Sequence, residues 1–164
     1  MSISLSQADV LTALRAALLS LLTGYEVVQA QDNGVPMPTG PFIAMTVHAI
    51  QRLSTNVDTY AGSPSIKSIE TDTRFDVDLD IYGPLAGDAA ATIQAVLRDE
   101  AGVALFPTTV VPLFADDPMQ MPLITGEQTY LQRWKVTVAL QYNPVVTLPQ
   151  DSALALTIGL QDLP

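Results

Sequence analysis

IETDTRFDVDLDI, residues 69–81, changes character at every step. The odd positions read Ile69, Thr71, Thr73, Phe75, Val77, Leu79 and Ile81; the even ones read Glu70, Asp72, Arg74, Asp76, Asp78 and Asp80. A period of two is the mark of a strand with one face against a core and one face polar. At about 3.3 Å per residue the run would span roughly 40 Å, longer than most strands. FIAMTVHAIQRL, residues 42–53, alternates in the same way. Ile43, Met45, Val47 and Ala49 fall on one side, and Thr46, His48 and Arg52 on the other. The two runs are expected to form a long hairpin whose tip projects beyond the domain. The intervening STNVDTYAGSPS, 54–65, reads as polar and turn-rich.

Working outward, Ser6 and Asp9 have capping-box spacing, with Asp standing in for the longer Glu or Gln. Leu11, Leu14, Leu18 and Leu21 or Leu22 then recur at helical spacing up to Gly24, predicting a helix over 7–22. Tyr25–Val28 begins a short strand. QDNGVPMPTGP, 31–41, is a loop by its prolines, glycines and Asn-Gly pair. Gly83-Pro84 ends the long strand. DAAATIQAVLRDEAG, 88–102, predicts a second helix with Ala89, Ile93, Val96 and Leu97 inward and Gly102 as its cap. Asp99 and Glu100 at its end would oppose the helix dipole. Residues 103–128 read as irregular, with one short strand near 110–114. TYLQRWKVTVALQY, 129–142, is a strand with Trp134, Val136, Val138, Leu140 and Tyr142 on its apolar face and Arg133, Lys135, Thr137 and Gln141 on its polar one. In SALALTIGL, 152–160, Leu154, Leu156, Ile158 and Leu160 alternate again. The expected class is α+β: a mostly antiparallel sheet of four or five strands, two helices packed on one face, and a C-terminal strand or arm. Residues 1–148 are expected to form one domain and 149–164 the arm or an edge strand.

Composition narrows the function. The chain has 164 residues, 48% of them hydrophobic, so a sizeable core forms with apolar surface left for a subunit interface. Seven cations against 17 carboxylates give a net charge of −10, which argues against a phosphate-gripping patch. No cysteine occurs, which removes disulfides, thiolate nucleophiles and zinc–sulfur sites. VLTALRAALLSLL, 10–22, is too short to cross a bilayer and contains Arg15. MSISLSQAD lacks the cations of a secretory signal. The expectation is a soluble protein made or assembled inside a cell, with no membrane partner.

Asp76, Asp78 and Asp80 are the one constellation with metal-binding chemistry, since Mg²⁺ and Ca²⁺ take several carboxylate or carbonyl oxygens. Side chains at i and i+2 on a strand stand about 7 Å apart and point in parallel, so one ion does not readily collect all three. The competing reading is a polar strand face paired across the sheet with Arg133 and Lys135. His48, the only histidine, lies mid-strand, and no G-x-S-x-G elbow, phosphate loop or H-E-x-x-H occurs. No cofactor and no enzymatic activity are expected. Met119 and Met121, between prolines in DDPMQMPLITG, suit adaptable apolar contacts. Together with Leu154, Leu156, Ile158 and Leu160 they are the candidate subunit or partner contacts.

The order GVPMPTGPFIAM, then DVDLDIYGPLAGDAAATIQAVLRD, then VPLFADDPMQMPLITGEQTYLQRWKVTVALQYN resembles the neck or tail terminator family of tailed bacteriophages. Pro41-Phe42, Tyr82-Gly83, Pro112-Leu113-Phe114, Tyr130 and Arg133 carry the likeness, which covers residues 25–148. The resemblance implies a virion structural protein of the tail or neck, assembled in the host cytoplasm. It implies a hexameric ring on the end of the tail tube that stops tube polymerisation and meets a head-side connector or stopper. A sheath protein is a further implied partner if the tail is contractile. DNA would pass through the lumen without specific binding, and Asp76, Asp78 and Asp80 are candidates to line that lumen. A head-completion stopper and a tail tube subunit are the alternatives within this class; a metal-dependent hydrolase using the aspartate row is the alternative outside it.

Overall fold

The computed structural model describes residues 2–30, 37–62, 65–121, 123–124 and 130–150. After a two-residue strand β1 (Ser2–Ile3), helix α1 (Gln7–Leu21) starts at Ser6 with a complete capping box. The Asp9 amide donates to Ser6 Oγ and the Ser6 amide donates to Asp9 Oδ2. The same Ser6 bonds hold the Asp9 carboxyl below its ordinary pKa. Gly24, at φ +86°, turns the chain out of the helix into β2 (Glu26–Gln29), which pairs in parallel with β3 (Phe42–Arg52).

β4 (Val57–Ala61), β5 (Ile66–Glu70) and β6 (Thr73–Tyr82) follow. Helix α2 (Ala86–Leu97) leads directly into the short α3 (Glu100–Val103). The chain then forms β7 (Val110–Ala115), β8 (Met119–Gln120), β9 (Leu123–Ile124), β10 (Tyr130–Leu131), β11 (Arg133–Tyr142) and β12 (Val145–Pro149). The main sheet runs β2-β3-β6-β11-β7, with β8 also on β11; a second sheet runs β1-β12-β5-β4; β9 and β10 pair with each other.

The α+β class and the hairpin stand, with corrections of detail. The single strand expected over 69–81 is two strands, broken at Thr71 and Asp72. The break is shared by three neighbours: β3 stops at Arg52, β6 starts at Thr73 and β11 stops at Tyr142. The Leu53 amide donates to the Asp72 carbonyl and the Thr71 amide to that of Pro144, a residue with no N–H of its own. Beyond this line the hairpin continues as β4–β5. Residues 57–61, expected to be turn-rich, are therefore a strand; both its faces are exposed, so no apolar alternation marks it. The helix expected over 88–102 ends earlier, because Asp99 caps α3 by accepting from the Ala101 amide at 2.9 Å. Asp99 thus begins a helix and does not oppose one. Gly102 lies inside α3 and not at a cap.

One face of the main sheet builds the core. Phe75, Val77, Leu79 and Ile81 of β6 are fully buried with Val136, Val138 and Leu140 of β11. Val10, Leu14 and Leu18 of α1 and Ala90 and Ile93 of α2 join the same cluster, so both long helices cover that face. Burial of each large apolar side chain is worth about 1.5–3 kcal/mol. A bulge in β3 changes one expected orientation. Val47 opposes Val77 and Ala49 opposes Asp76, which leaves His48 as the extra residue. Ala49 therefore joins the polar side, and Ile50 opposes Phe75.

Candidate functional site

The second face of the main sheet carries the aspartate row. Its members are not free carboxylates. Arg74 Nε donates to Asp76 Oδ1 at 2.8 Å. Lys135 Nζ stands 2.8 Å from Asp78 Oδ2, and Thr137 Oγ1 donates to Asp78 Oδ1 at 2.7 Å. His48 Nδ1 lies 3.0 Å from Asp78 Oδ2. Arg133 meets Asp80 Oδ1 through both Nε and a terminal nitrogen, at 3.0 and 2.9 Å. No described helix covers this face, yet Asp76 and Asp78 are only 4% and 8% exposed.

The structure thus brings together all five residues that the sequence marked on this face: Asp76, Asp78, Asp80, Arg133 and Lys135. Three carboxylates are matched by three cations, counting Arg74. Burial pushes the Asp78 carboxyl up, but hydrogen bonds from Lys135, Thr137 and His48, and the Lys135 charge, outweigh it and hold the group below its ordinary value. A divalent ion here would have to displace these partners. Among the described residues no three His, Cys, Asp or Glu side chains converge as a metal site. Sequence reasoning placed His48 on this polar face but did not name it, or Arg74, as a partner of the aspartates. Arg74 was visible two residues from Asp76 on the same side of the strand.

The second sheet has a different character. No residue of β1, β4, β5 or β12 is fully buried. By register Ile3, Tyr60, Ile69, Val146 and Leu148 share one of its faces with the Asp58–Lys67 ion pair, and no described helix or sheet packs over it. Ile3 and Tyr60 are 56% and 46% exposed. Met119 and Met121 are exposed beside β11, where Met119 opposes Lys135 and the Met121 amide donates to the Arg133 carbonyl. Leu154, Leu156, Ile158 and Leu160 lie outside the described residues. An apolar groove of about 540 Å³ opens at the other end of the main sheet, lined by Met37, Pro41, Phe42, Tyr82 and Pro84. There Phe42 and Tyr82 stack with ring centroids 4.4 Å apart. No described helix is long and apolar enough to cross a membrane.

Comparison with known proteins gives one sequence family and a set of folds. A family model described as phage neck terminator protein matches residues 8–162. No curated protein sequence matches the chain. Among solved structures, the sheath/tube terminator of an extracellular contractile injection system, PVC, in its extended state, has a similar fold. It superposes with a TM-score of 0.52 at 12% identity over 98% of this chain. The chain spans 65% of the length of that terminator.

Proposed function

The chain belongs to the phage neck terminator protein family, and from that premise we propose that it forms the ring that closes a phage tail. Copies of it, six in this reading, sit on the end of the finished tube. They stop further subunits from adding and offer a surface to the head-side connector. In a contractile tail the same ring also meets the sheath. The observation that carries this reading is the family match across nearly the whole chain. The fold supports it through the face of the second sheet that bears Ile3, Tyr60, Ile69, Val146 and Leu148, left uncovered by the described residues, which a subunit or tube contact would bury. The role is structural, and we assign the chain no catalytic step.

A ring through which DNA runs should not hold it. The net charge of −10 per chain favours that, because acidic surfaces repel phosphate over a Debye length of about 8–10 Å in ordinary salt. We give Asp76, Asp78 and Asp80 a structural part and not the part of a repulsive channel wall, since their charges are matched locally by Arg74, Lys135 and Arg133. Light scattering and negative-stain microscopy of the pure protein, alone and with tail tubes, test the reading. Closed rings, alone or at tube ends, are expected. A species that stays monomeric even with tubes present would remove it, and long tubes formed by the protein itself would make it a tube subunit.

A further inference from the structure

The edges of the two sheets are treated differently. At one edge of the main sheet Arg15, from α1, donates its Nε to the outward Val27 carbonyl of β2 at 3.0 Å. At the other edge Arg98, at the end of α2, donates its Nε to the outward Ala115 carbonyl of β7 at 2.6 Å. Within β7, Pro112 has no N–H to offer an added strand. Both long edges of this sheet are thus closed against strand addition. β1 and β8 are two-residue edges. β4 is different: it has five residues, all exposed, and among the described strands it pairs with β5 alone. Asp58, the one charge on it, is neutralised by Lys67 at 2.7 Å, so it sets no net charge against an incoming strand.

The chain beyond residue 150 starts close by. β12 runs along β5 towards the β4–β5 turn, and the Gln150 amide donates to the Ser65 carbonyl at 2.9 Å. The 14 residues from 151 to 164 therefore continue from beside the β4–β5 turn. Extended, they reach roughly 45 Å. Their alternation of Leu154, Leu156, Ile158 and Leu160 requires an apolar face to lie against. The face of β4 that bears Tyr60 also carries Asp58, paired with Lys67, and lies beside Ile69, Val146 and Leu148.

We infer that residues 152–160 of one copy add as a strand to the free β4 edge of the next copy, with their leucines extending the face that bears Tyr60. This rests on the ring reading above and specifies its joint. Pairing of the C-terminal segment of one copy with β4 of the next is heterologous, the kind of contact that closes into a ring and does not stop at a dimer. Backbone hydrogen bonds along β4 supply affinity, and the alternate leucines set the register.

The cysteine-free chain allows a clean test. Full-length Thr59→Cys protein is mixed with full-length Ala155→Cys or Thr157→Cys protein, whose substituted positions alternate with the leucines and so share the Thr59 face, in the presence of tail tubes, and oxidised. A disulfide-linked pair made of one chain of each kind is expected, at least fivefold above a control pairing in which Thr92→Cys, on α2, replaces Thr59→Cys. The double variant Thr59→Cys/Thr157→Cys should give linked multimers. Closure only within single chains overturns the inference. Rings that assemble without the cross-chain disulfide overturn it and leave the terminator reading standing. Chains that remain single on tubes overturn both.

Discussion

Lys135 stands directly opposite Asp80 in the ladder between β11 and β6, yet its Nζ lies 2.8 Å from Oδ2 of Asp78, two pairs further along and the next on that face. Arg133, opposite Tyr82, takes Asp80 in its place. Each cation thus reaches diagonally across the sheet. The shift leaves Asp78 shared by Lys135, Thr137 and His48, which come from the strands on either side of β6. The carboxylate ties three strands together on the face that no described helix covers.

Asp78→Ala should therefore cost about 1–3 kcal/mol, the range for loss of hydrogen bonds to a charged group, moderated by the partial exposure of Lys135. Urea unfolding of the variant checks this, and an unchanged midpoint would show that the network only decorates the surface.

The pH dependence follows in sign. Asp78 has a lowered pKa in the folded chain. Its contribution is complete at neutral pH, above the ordinary carboxylate value of about 4 in the unfolded chain, and is lost as the pH falls through the lowered folded value. Unfolding curves of wild type and Asp78→Asn should converge as the pH drops below that range and stay separated at pH 7. A constant gap down to acid pH would contradict the assignment.

How much of this was legible in the sequence differs by element. Phe75, Val77, Leu79 and Ile81 announced their burial by alternation, because a core face imposes a period of two. Arg133 and Lys135 could be matched to the aspartates because a polar face between two buried strands has few other partners. The break at Thr71 and Asp72 was not legible: it is fixed by where β3, β6 and β11 stop together, a tertiary alignment that no local pattern records. β4 escaped notice for a related reason, since a strand exposed on both faces has no hydropathy period to read.

Gly102 gives a packing prediction. A Cβ there would lie 2.4 Å from the Val96 carbonyl oxygen and 3.0 Å from Leu97 Cα, both backbone atoms. Gly102→Ala should lower stability by about 1–3 kcal/mol, as overpacking does, even though alanine is the better helix former. Thermal unfolding would show a lower midpoint; a gain would mean that α3 shifts freely against α2.

Arg98 offers a test of the closed edge. Its side chain caps the Ala115 carbonyl, pairs with Asp117 at 2.9 Å and lies over the Phe114 ring at 4.3 Å. Arg98→Ala should destabilise by about 1–3 kcal/mol and raise self-association through β7, visible as a concentration-dependent increase in light scattering. A variant that scatters like wild type at every concentration would show that Pro112 alone suffices.

The aspartate row should not hold a metal. Titration of Mg²⁺ or Mn²⁺ by calorimetry is expected to show no saturable heat, since each carboxylate already has a cationic partner. Saturable binding lost in Asp78→Asn would revive a hydrolytic reading.

The most direct test of the central claim is tube growth. Tail tube subunits are allowed to polymerise while the purified chain is added at increasing ratio, and tube lengths and ends are measured by electron microscopy. The account predicts tubes that stop elongating, each bearing one ring of this protein at a single end. Tubes that lengthen unchanged, with no density of this protein at either end, would contradict it.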